Sequence, residues 1–150
     1  MPQALSCLLV HLVFSTKNRE RLLPPALQTE LHAHLALILD QLQCQVQQIG
    51  GTEDHVHLFV SLGHTHAIAE IVDTVKTRSA EWIKARDGTP ANFEWQSGYG
   101  AFSISQSETE LVASYIRNQA QHHVKLTFQD EYRRLLTWYQ VAFDEAQMWE

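Results

Sequence analysis

Residues 55–61 read His-Val-His-Leu-Phe-Val-Ser, and their side chains follow a two-residue period. That period is the repeat of a β-strand, in which successive side chains point to opposite faces of the sheet. One face of the predicted strand carries the aliphatic residues Val56, Leu58 and Val60. The other face carries His55 and His57 together with Phe59 and Ser61, so the stretch predicts a strand with a packing face and a histidine face.

The segments on either side of this strand alternate between strand and helix patterns. Further strands are predicted at residues 7–14, 44–49 and 99–105 from short runs rich in apolar and β-branched side chains. Leucines and isoleucine at helical spacing between positions 27 and 42 predict a first helix, and a 3.6-residue period predicts a second over 68–86. Ser107 and Glu110 have the spacing of a capping box that opens a third helix, and a fourth is predicted over 128–139.

The order βαββαβαα predicts an α+β fold, in which helices flank an antiparallel β-sheet on a ferredoxin-like plan. The 150 residues predict a single domain over 1–150, because no linker or repeat divides them. Two cysteines exclude a disulfide framework. No stretch reaches the roughly 18–20 apolar residues of a membrane span, and there is no secretory leader pattern, so we expect a cytoplasmic protein without a membrane partner.

The histidine face of the central strand is the first candidate site. Two imidazoles one residue apart on a strand project from the same face and suit two ligands of one metal ion. The chain holds nine histidines, however, so a chance pair is easy, and His64 and His66 form another pair in a loop. Spacing alone leaves open whether His55 and His57 bind a metal and whether His64 or His66 helps to orient the site.

A second candidate lies on the helix predicted after the capping box. Tyr115 and Gln119 are four residues apart, which places them on one face of a continuous helix. Tyr115 flanks an apolar stripe, and a half-buried core tyrosine is the plainer interpretation. The pair becomes informative only if another part of the chain supplies a metal and a phosphate.

The charge pattern restricts how the protein binds a polyanion. The net charge is −6, from 11 basic and 17 acidic residues, which argues against holding duplex nucleic acid by bulk charge. The basic residues nevertheless fall into three groups, at 17–21, 76–86 and 117–134. If these groups converge they form a local positive path, whereas solvated helix faces are the simpler alternative.

Taken together, the sequence resembles the HUH single-tyrosine transposases of the insertion-sequence-200/605 type. The histidine-hydrophobic-histidine motif that gives HUH its name is His55-Val56-His57. The resemblance covers almost the whole chain. It is carried by residues 50–60, by Trp95 to Ser103 (WQSGYGAFS), by Ser114 to Gln119 (SYIRNQ), by Phe128 to Glu131 (FQDE) and by Phe143 to Glu145 (FDE).

The resemblance implies a role for each matching residue. His55, His57 and Gln119 match the ligands of a divalent ion, and Tyr115 matches the nucleophile. The implied activity is cleavage and rejoining of single-stranded DNA at hairpin-marked ends through a 5′-phosphotyrosine intermediate. Because imidazole is a relatively soft ligand, we expect Mn²⁺ to bind tightly and Mg²⁺ to serve as the working ion.

The resemblance also implies binding partners, and it leaves alternative functions open. The implied assembly is a homodimer in which the tyrosine helix of one subunit completes the histidine site of the other. Lys76, Arg78 and Arg117 are the predicted contacts to DNA phosphates.

One alternative function is that of a domesticated nuclease that processes chromosomal palindromes, and another is that of a non-catalytic DNA-binding module with the same fold. A zinc hydrolase is a weaker rival, because the chain lacks a His-Glu-x-x-His helix.

Overall fold

The computed structural model describes residues 3–150 and has the predicted α+β architecture. Four strands form one antiparallel sheet in the order β2-β3-β1-β4, which is the ferredoxin-like arrangement. The strands are β1 (Leu9–Ser15), β2 (Gln45–Gly51), β3 (His55–Ser61) and β4 (Gly100–Ser103). The predicted central strand at 55–61 is confirmed, and it pairs with a neighbour on each side.

Five helices accompany the sheet, one more than predicted. They are α1 (Pro25–Gln41), α2 (Ile68–Lys84), α3 (Thr109–Arg117), α4 (Gln119–His122) and α5 (Phe128–Trp138). The additional helix arises because Asn118 leaves the helical conformation, with φ −98° and ψ 22°. The prediction that Tyr115 and Gln119 lie on one continuous helix is therefore wrong. Among residues 3–150, no helix combines the length and the apolar character that a membrane crossing needs.

The start of α3 also differs from the prediction. A 3₁₀ turn over Gln106–Glu108 precedes the helix, and Thr109 Oγ1 donates to the carbonyl oxygen of Gln106 at 2.8 Å. Ser107 does not cap the helix; its hydroxyl lies 2.8 Å from that of Ser105. The predicted capping box is wrong because the 3₁₀ turn supplies the first turn of hydrogen bonds.

The two faces of β3 pack against different helices. Val56, Leu58 and Val60 are fully buried in the main core together with residues of α1 and α2. The opposite face, with His55, His57 and Phe59, turns toward α3 and α5. The sheet thus separates an aliphatic core from a layer that contains the histidines.

Gly50 on β2 allows α3 to approach the sheet closely. A Cβ atom at this position would lie 2.3 Å from the carbonyl oxygen of Ile116, so any larger residue would push the helix away. Gly50 is also the β2 partner of His57 in the strand register. The glycine therefore fixes the distance between the helix of Tyr115 and the strand of the histidines.

Candidate active site around Glu131

His55 and His57 lie side by side on the buried face of β3. Both side chains are inaccessible to solvent, and their ring centroids are 5.0 Å apart. Their Nε2 atoms point to the same carboxylate oxygen, Oε1 of Glu131, at 3.2 Å from His55 and 3.0 Å from His57. The strand period that predicts the pair therefore places both imidazoles on one cluster of polar atoms.

Glu131 is the centre of this cluster. It lies on α5, is 1% exposed, and accepts hydrogen bonds at both oxygens. Oε1 also faces Nε2 of His123 at 3.0 Å, while Oε2 accepts from Nε2 of Gln119 at 2.8 Å and from the hydroxyl of Tyr115. Burial opposes the charged carboxylate, but the surrounding imidazoles outweigh it and hold the pKa of Glu131 far below its usual value. The carboxylate is therefore an anion.

The second nitrogen of His55 is held from the other side. Its Nδ1 atom lies 2.8 Å from Oδ1 of Asp54 and 3.0 Å from the hydroxyl of Thr52. Burial alone would lower the pKa of His55, but hydrogen bonds and charges from Asp54 and Glu131 overcome it and raise the pKa to about 9. In the metal-free protein at neutral pH, His55 is consequently a cation between two carboxylates.

Tyr115 reaches the cluster from α3. Its ring lies 4.7 Å from that of His122 and 6.0 Å from that of His57, and its hydroxyl donates to Glu131. Burial, together with the negative charge of Glu131, raises the pKa of Tyr115 well above the usual value near 10. The phenol is therefore protonated at neutral pH.

Gln119 lies in the same cluster despite the break in the helix. Its Oε1 atom is 2.8 Å from Nε2 of His55, and its side chain is 1% exposed. All four residues that the sequence predicts for catalysis and metal binding, Tyr115, His55, His57 and Gln119, are thus brought together around one carboxylate.

The donor set fits a divalent metal ion. The Nε2 atoms of His55 and His57 and a carboxylate oxygen of Glu131 lie within 4.8 Å of one another, and all three residues are buried. The amide oxygen of Gln119 adds a fourth donor on the same side. Two imidazoles with oxygen donors suit a first-row divalent ion such as Mn²⁺ better than Mg²⁺, which prefers oxygen alone.

Sequence reasoning missed Glu131 and His123. Glu131 falls in phase with Phe128 and Leu135 on α5, so a carboxylate on the inward side of an amphipathic helix was the available signal. His123 belongs to an adjacent histidine pair that the spacing does not explain. Neither could be assigned a place in the site, because both reach it through contacts between segments distant along the chain.

The structure does not bring the three predicted DNA contacts to this site. The ammonium group of Lys76 donates to the carbonyl oxygens of Gln96 and Gly98, each at 2.7 Å. Burial lowers the pKa of Lys76 to about 8. Arg117 faces Glu110 at 3.7 Å, and Arg78 lies on α2. Lys76 therefore stabilises the loop over residues 96–98. The DNA contacts of Lys76, Arg78 and Arg117 stay predictions.

The other histidine pair also lies elsewhere. Nδ1 of His64 is 3.1 Å from the hydroxyl of Ser6, and Nδ1 of His66 is 3.6 Å from the carboxylate of Glu70. Within the described part of the chain, neither histidine contacts the residues around Glu131. His55 and His57 are accordingly the pair that belongs to the site.

A cleft of about 760 Å³ opens next to the site, between the segment leading into α1 and the loop that joins α4 to α5. Asp54 and His123 line it, and it is also lined by Arg19, Arg21 and Lys125. Across residues 3–150, seven of the eleven lysines and arginines form no ion pair with a carboxylate, and three of the seven line this cleft. Positive charge free of acidic partners thus lies beside the candidate active site.

Fold and site together define an α+β domain whose antiparallel sheet buries a histidine pair against a carboxylate and a tyrosine. The protein-family model described as "Transposase IS200 like" matches residues 4–119 of the sequence, and the chain belongs to this family of transposases. No curated protein matches the sequence.

Solved structures that resemble the fold include the following two. One is a protein from Deinococcus radiodurans assigned as a transposase, with a TM-score of 0.60 and 23% identity, covering 79% of this chain and 98% of that one. The other is a REP-associated tyrosine transposase bound to a REP hairpin, with a TM-score of 0.62 and 14% identity, covering 96% of this chain and 90% of that one. At these identities the likeness concerns the fold.

Proposed function

We propose that the protein cleaves and rejoins single-stranded DNA at hairpin-marked ends, with Tyr115 as the nucleophile and a divalent ion held by His55, His57, Gln119 and Glu131. The observation that carries the proposal is the convergence of the phenol and the metal donors on one buried carboxylate. Membership of the transposase family supports the same class of reaction.

The two oxygens of Glu131 contact different groups of the proposed active site. Oε1 faces the imidazoles of His55 and His57, and Oε2 accepts the hydrogen bond of the Tyr115 phenol. In the proposed step the phenolic oxygen forms a bond to phosphorus, the bond from phosphorus to the 3′-oxygen breaks, and the phenolic proton is passed by way of Oε2 to the departing 3′-oxygen. The products are a 5′-phosphotyrosine and a free 3′-hydroxyl.

The covalent link suits a protein that rejoins DNA. A phosphotyrosine conserves the phosphoester bond, so another 3′-hydroxyl can attack it and release Tyr115. Mg²⁺ or Mn²⁺, when bound, would withdraw negative charge from the phosphate oxygens and from Glu131. The charge of Glu131 is, after burial, a cause of the raised pKa of Tyr115, so an ion that offsets this charge would lower the pKa of the phenol.

The cleft beside the site is the proposed path for the single strand. Arg19, Arg21 and Lys125 line it, and Asp54 and His123 separate it from the histidines of the site. A DNA strand that follows these cations passes His123, whose Nε2 atom faces Oε1 of Glu131 at 3.0 Å. Such a path suits a flexible single strand better than a rigid duplex. The solved relative with a bound REP hairpin supports hairpin DNA as the partner.

The proposed function is tested with labelled single-stranded DNA from the flanks of the gene, incubated with Mn²⁺ or Mg²⁺ and run on a denaturing gel. We expect a metal-dependent covalent adduct for the wild type and none for Tyr115→Phe, while both bind the hairpin equally. Tyr139→Phe is the matched control and retains the adduct, because Tyr139 stacks on Phe102 away from Glu131. An adduct on the Tyr115→Phe variant would refute the proposal.

The homodimer with an exchanged tyrosine helix stays a prediction. In the single chain Tyr115 contacts Glu131 of its own chain. Mixing the Tyr115→Phe and His57→Ala variants distinguishes the two arrangements. Adduct formation by the mixture, where each variant alone is inactive, supports exchange, and an inactive mixture supports a site completed within one chain.

A further inference from the structure

A third buried histidine, His11 on β1, lies directly behind the proposed metal site. It is 1% exposed, and its Nε2 atom is 2.7 Å from Nδ1 of His57. The two rings are 4.9 Å apart and belong to neighbouring antiparallel strands. The proposed reaction assigns no role to His11, and because a buried imidazole costs free energy unless it is hydrogen-bonded, the bond to His57 is needed to hold it there.

The hydrogen-bond partners of His57 fix the protons of both rings in the metal-free protein. The carboxylate of Glu131 can only accept, so Nε2 of His57 must carry the proton that lies between them at 3.0 Å. A neutral imidazole has one proton, so a neutral His57 that donates from Nε2 presents a lone pair at Nδ1, which lies 2.7 Å from Nε2 of His11. Nδ1 of His57 is then unprotonated, and Nε2 of His11 is the donor of the bond between the two histidines.

A bound cation requires the opposite arrangement. To coordinate through Nε2, His57 must present its lone pair there, which leaves its single proton on Nδ1. That proton must then be donated to His11, so Nε2 of His11 becomes the acceptor and the proton of His11 moves to its Nδ1. Each ring keeps one proton, and only the tautomers change.

We propose that His11 is a positioning residue for the metal site, which orients His57 and exchanges tautomer with it when the cation binds. The proposal rests on the proposed metal-dependent function. Imidazole suits this role because the same ring nitrogen can donate or accept at a fixed position. A merely space-filling His11 would contribute only its ring, which packs edge-on to Phe102 at 6.0 Å.

The test compares Mn²⁺ affinity, measured by isothermal titration calorimetry, for wild type, His11→Phe and His11→Gln. Phenylalanine keeps the ring volume but offers no polar atom, whereas the glutamine amide can turn to present a donor or an acceptor. We expect His11→Phe to weaken Mn²⁺ binding by roughly 10- to 100-fold. His11→Gln should bind Mn²⁺ close to wild type, and thermal unfolding in a chelator reports whether each variant is folded.

A second measurement needs no variant. Nitrogen-15 NMR of the imidazole rings in the wild type, with and without diamagnetic Mg²⁺, reports which nitrogen of His11 carries the proton. We expect Nε2 without the ion and Nδ1 with it. Unchanged tautomers in the loaded protein, or a folded His11→Phe variant that binds Mn²⁺ like the wild type, would overturn the role of His11 alone. A wild type that binds no divalent ion would overturn this role and the proposed function together.

Discussion

The phenol of Tyr115 donates a hydrogen bond to Oε2 of Glu131, although the two residues lie on different helices. The other oxygen of the same carboxylate faces the imidazole of His57 at 3.0 Å. One side chain therefore joins the proposed nucleophile to the proposed metal donors. A change of charge at Glu131 should affect both the phenol of Tyr115 and the metal donors. Glu131 is therefore the most informative residue to vary.

Replacing Glu131 by glutamine should weaken divalent ion binding while keeping the shape of the side chain. Loss of a direct anionic ligand should lower Mn²⁺ affinity at least as much as loss of an outer hydrogen-bond partner, which costs roughly 10- to 100-fold. Calorimetric titration with Mn²⁺ measures the effect. Asp130→Asn is the matched control, because Asp130 is the preceding residue but pairs with Arg133 at the surface. Equal affinities for Glu131→Gln and the wild type would remove Glu131 from the metal site.

The raised pKa of His55 makes the stability of the metal-free protein depend on pH. Its folded-state pKa of about 9 exceeds the ordinary histidine value of 6.5, so the folded state binds the proton more tightly than the unfolded state. This stabilisation is fully present below pH 6.5 and is lost as the pH rises through about 9. Denaturant unfolding in a chelator should therefore show His55-dependent stability falling between these values.

The variant His55→Gln isolates this contribution. It removes the titrating group, so the difference in unfolding free energy between wild type and variant should shrink as the pH rises from 6.5 to 9. The comparison also cancels the contribution of Lys76, whose pKa near 8 acts in the opposite direction. A difference that stays constant over this range would contradict a cationic His55.

Neutralising the cleft should weaken single-strand binding and reduce its dependence on salt. The double variant Arg21→Gln with Lys125→Gln removes two of the cations that line the cleft. The slope of log affinity against log salt should fall by roughly 0.7 for each DNA phosphate that the variant no longer neutralises. Lys84→Gln is the control, since Lys84 lies at the end of α2, outside the cleft. Fluorescence anisotropy with a labelled single strand measures both quantities, and an unchanged slope in the double variant would exclude the cleft as the DNA path.

Replacing Lys76 distinguishes a structural role of its side chain from the predicted contact to a DNA phosphate. Its ammonium binds the carbonyl oxygens of Gln96 and Gly98, so Lys76→Met should lower the free energy of unfolding by about 1–3 kcal/mol. Single-strand affinity should not change if the ammonium serves only the loop. Lys84→Met on the same helix should leave both quantities unaltered. A drop in affinity with no drop in stability would instead support the phosphate contact.

Local patterns are sufficient to predict the sheet and the pair of histidines. The strand over 55–61 is predictable because its two-residue period reports which side chains are buried together, and its neighbours follow the same rule. The family resemblance adds roles for Tyr115 and Gln119, and both lie at the site. The strand is predictable because its pattern lies within one element. The roles of Tyr115 and Gln119 come from several family motifs that occur together in one chain.

The missed features depend on contacts between distant parts of the chain. Glu131 contacts His57 across 74 residues of sequence, and no local period encodes that approach. The break at Asn118 escapes prediction because the helical pattern continues through it, whereas Gln119 turns to contact His55 and Glu131. For His11 the sequence predicts only a place on the strand over 7–14, and the register of β1 with β3 is what brings it to His57.

The most direct test of the central claim is mass spectrometry of the protein after reaction with a single-stranded hairpin substrate and Mn²⁺. Digestion and sequencing of the modified peptide should locate a 5′-phosphonucleotide on Tyr115, only when the ion is present. The same chain offers Tyr99, Tyr132 and Tyr139 as internal controls, which should remain unmodified. A nucleotide on one of these tyrosines, or cleavage that leaves every tyrosine unmodified, would contradict the account.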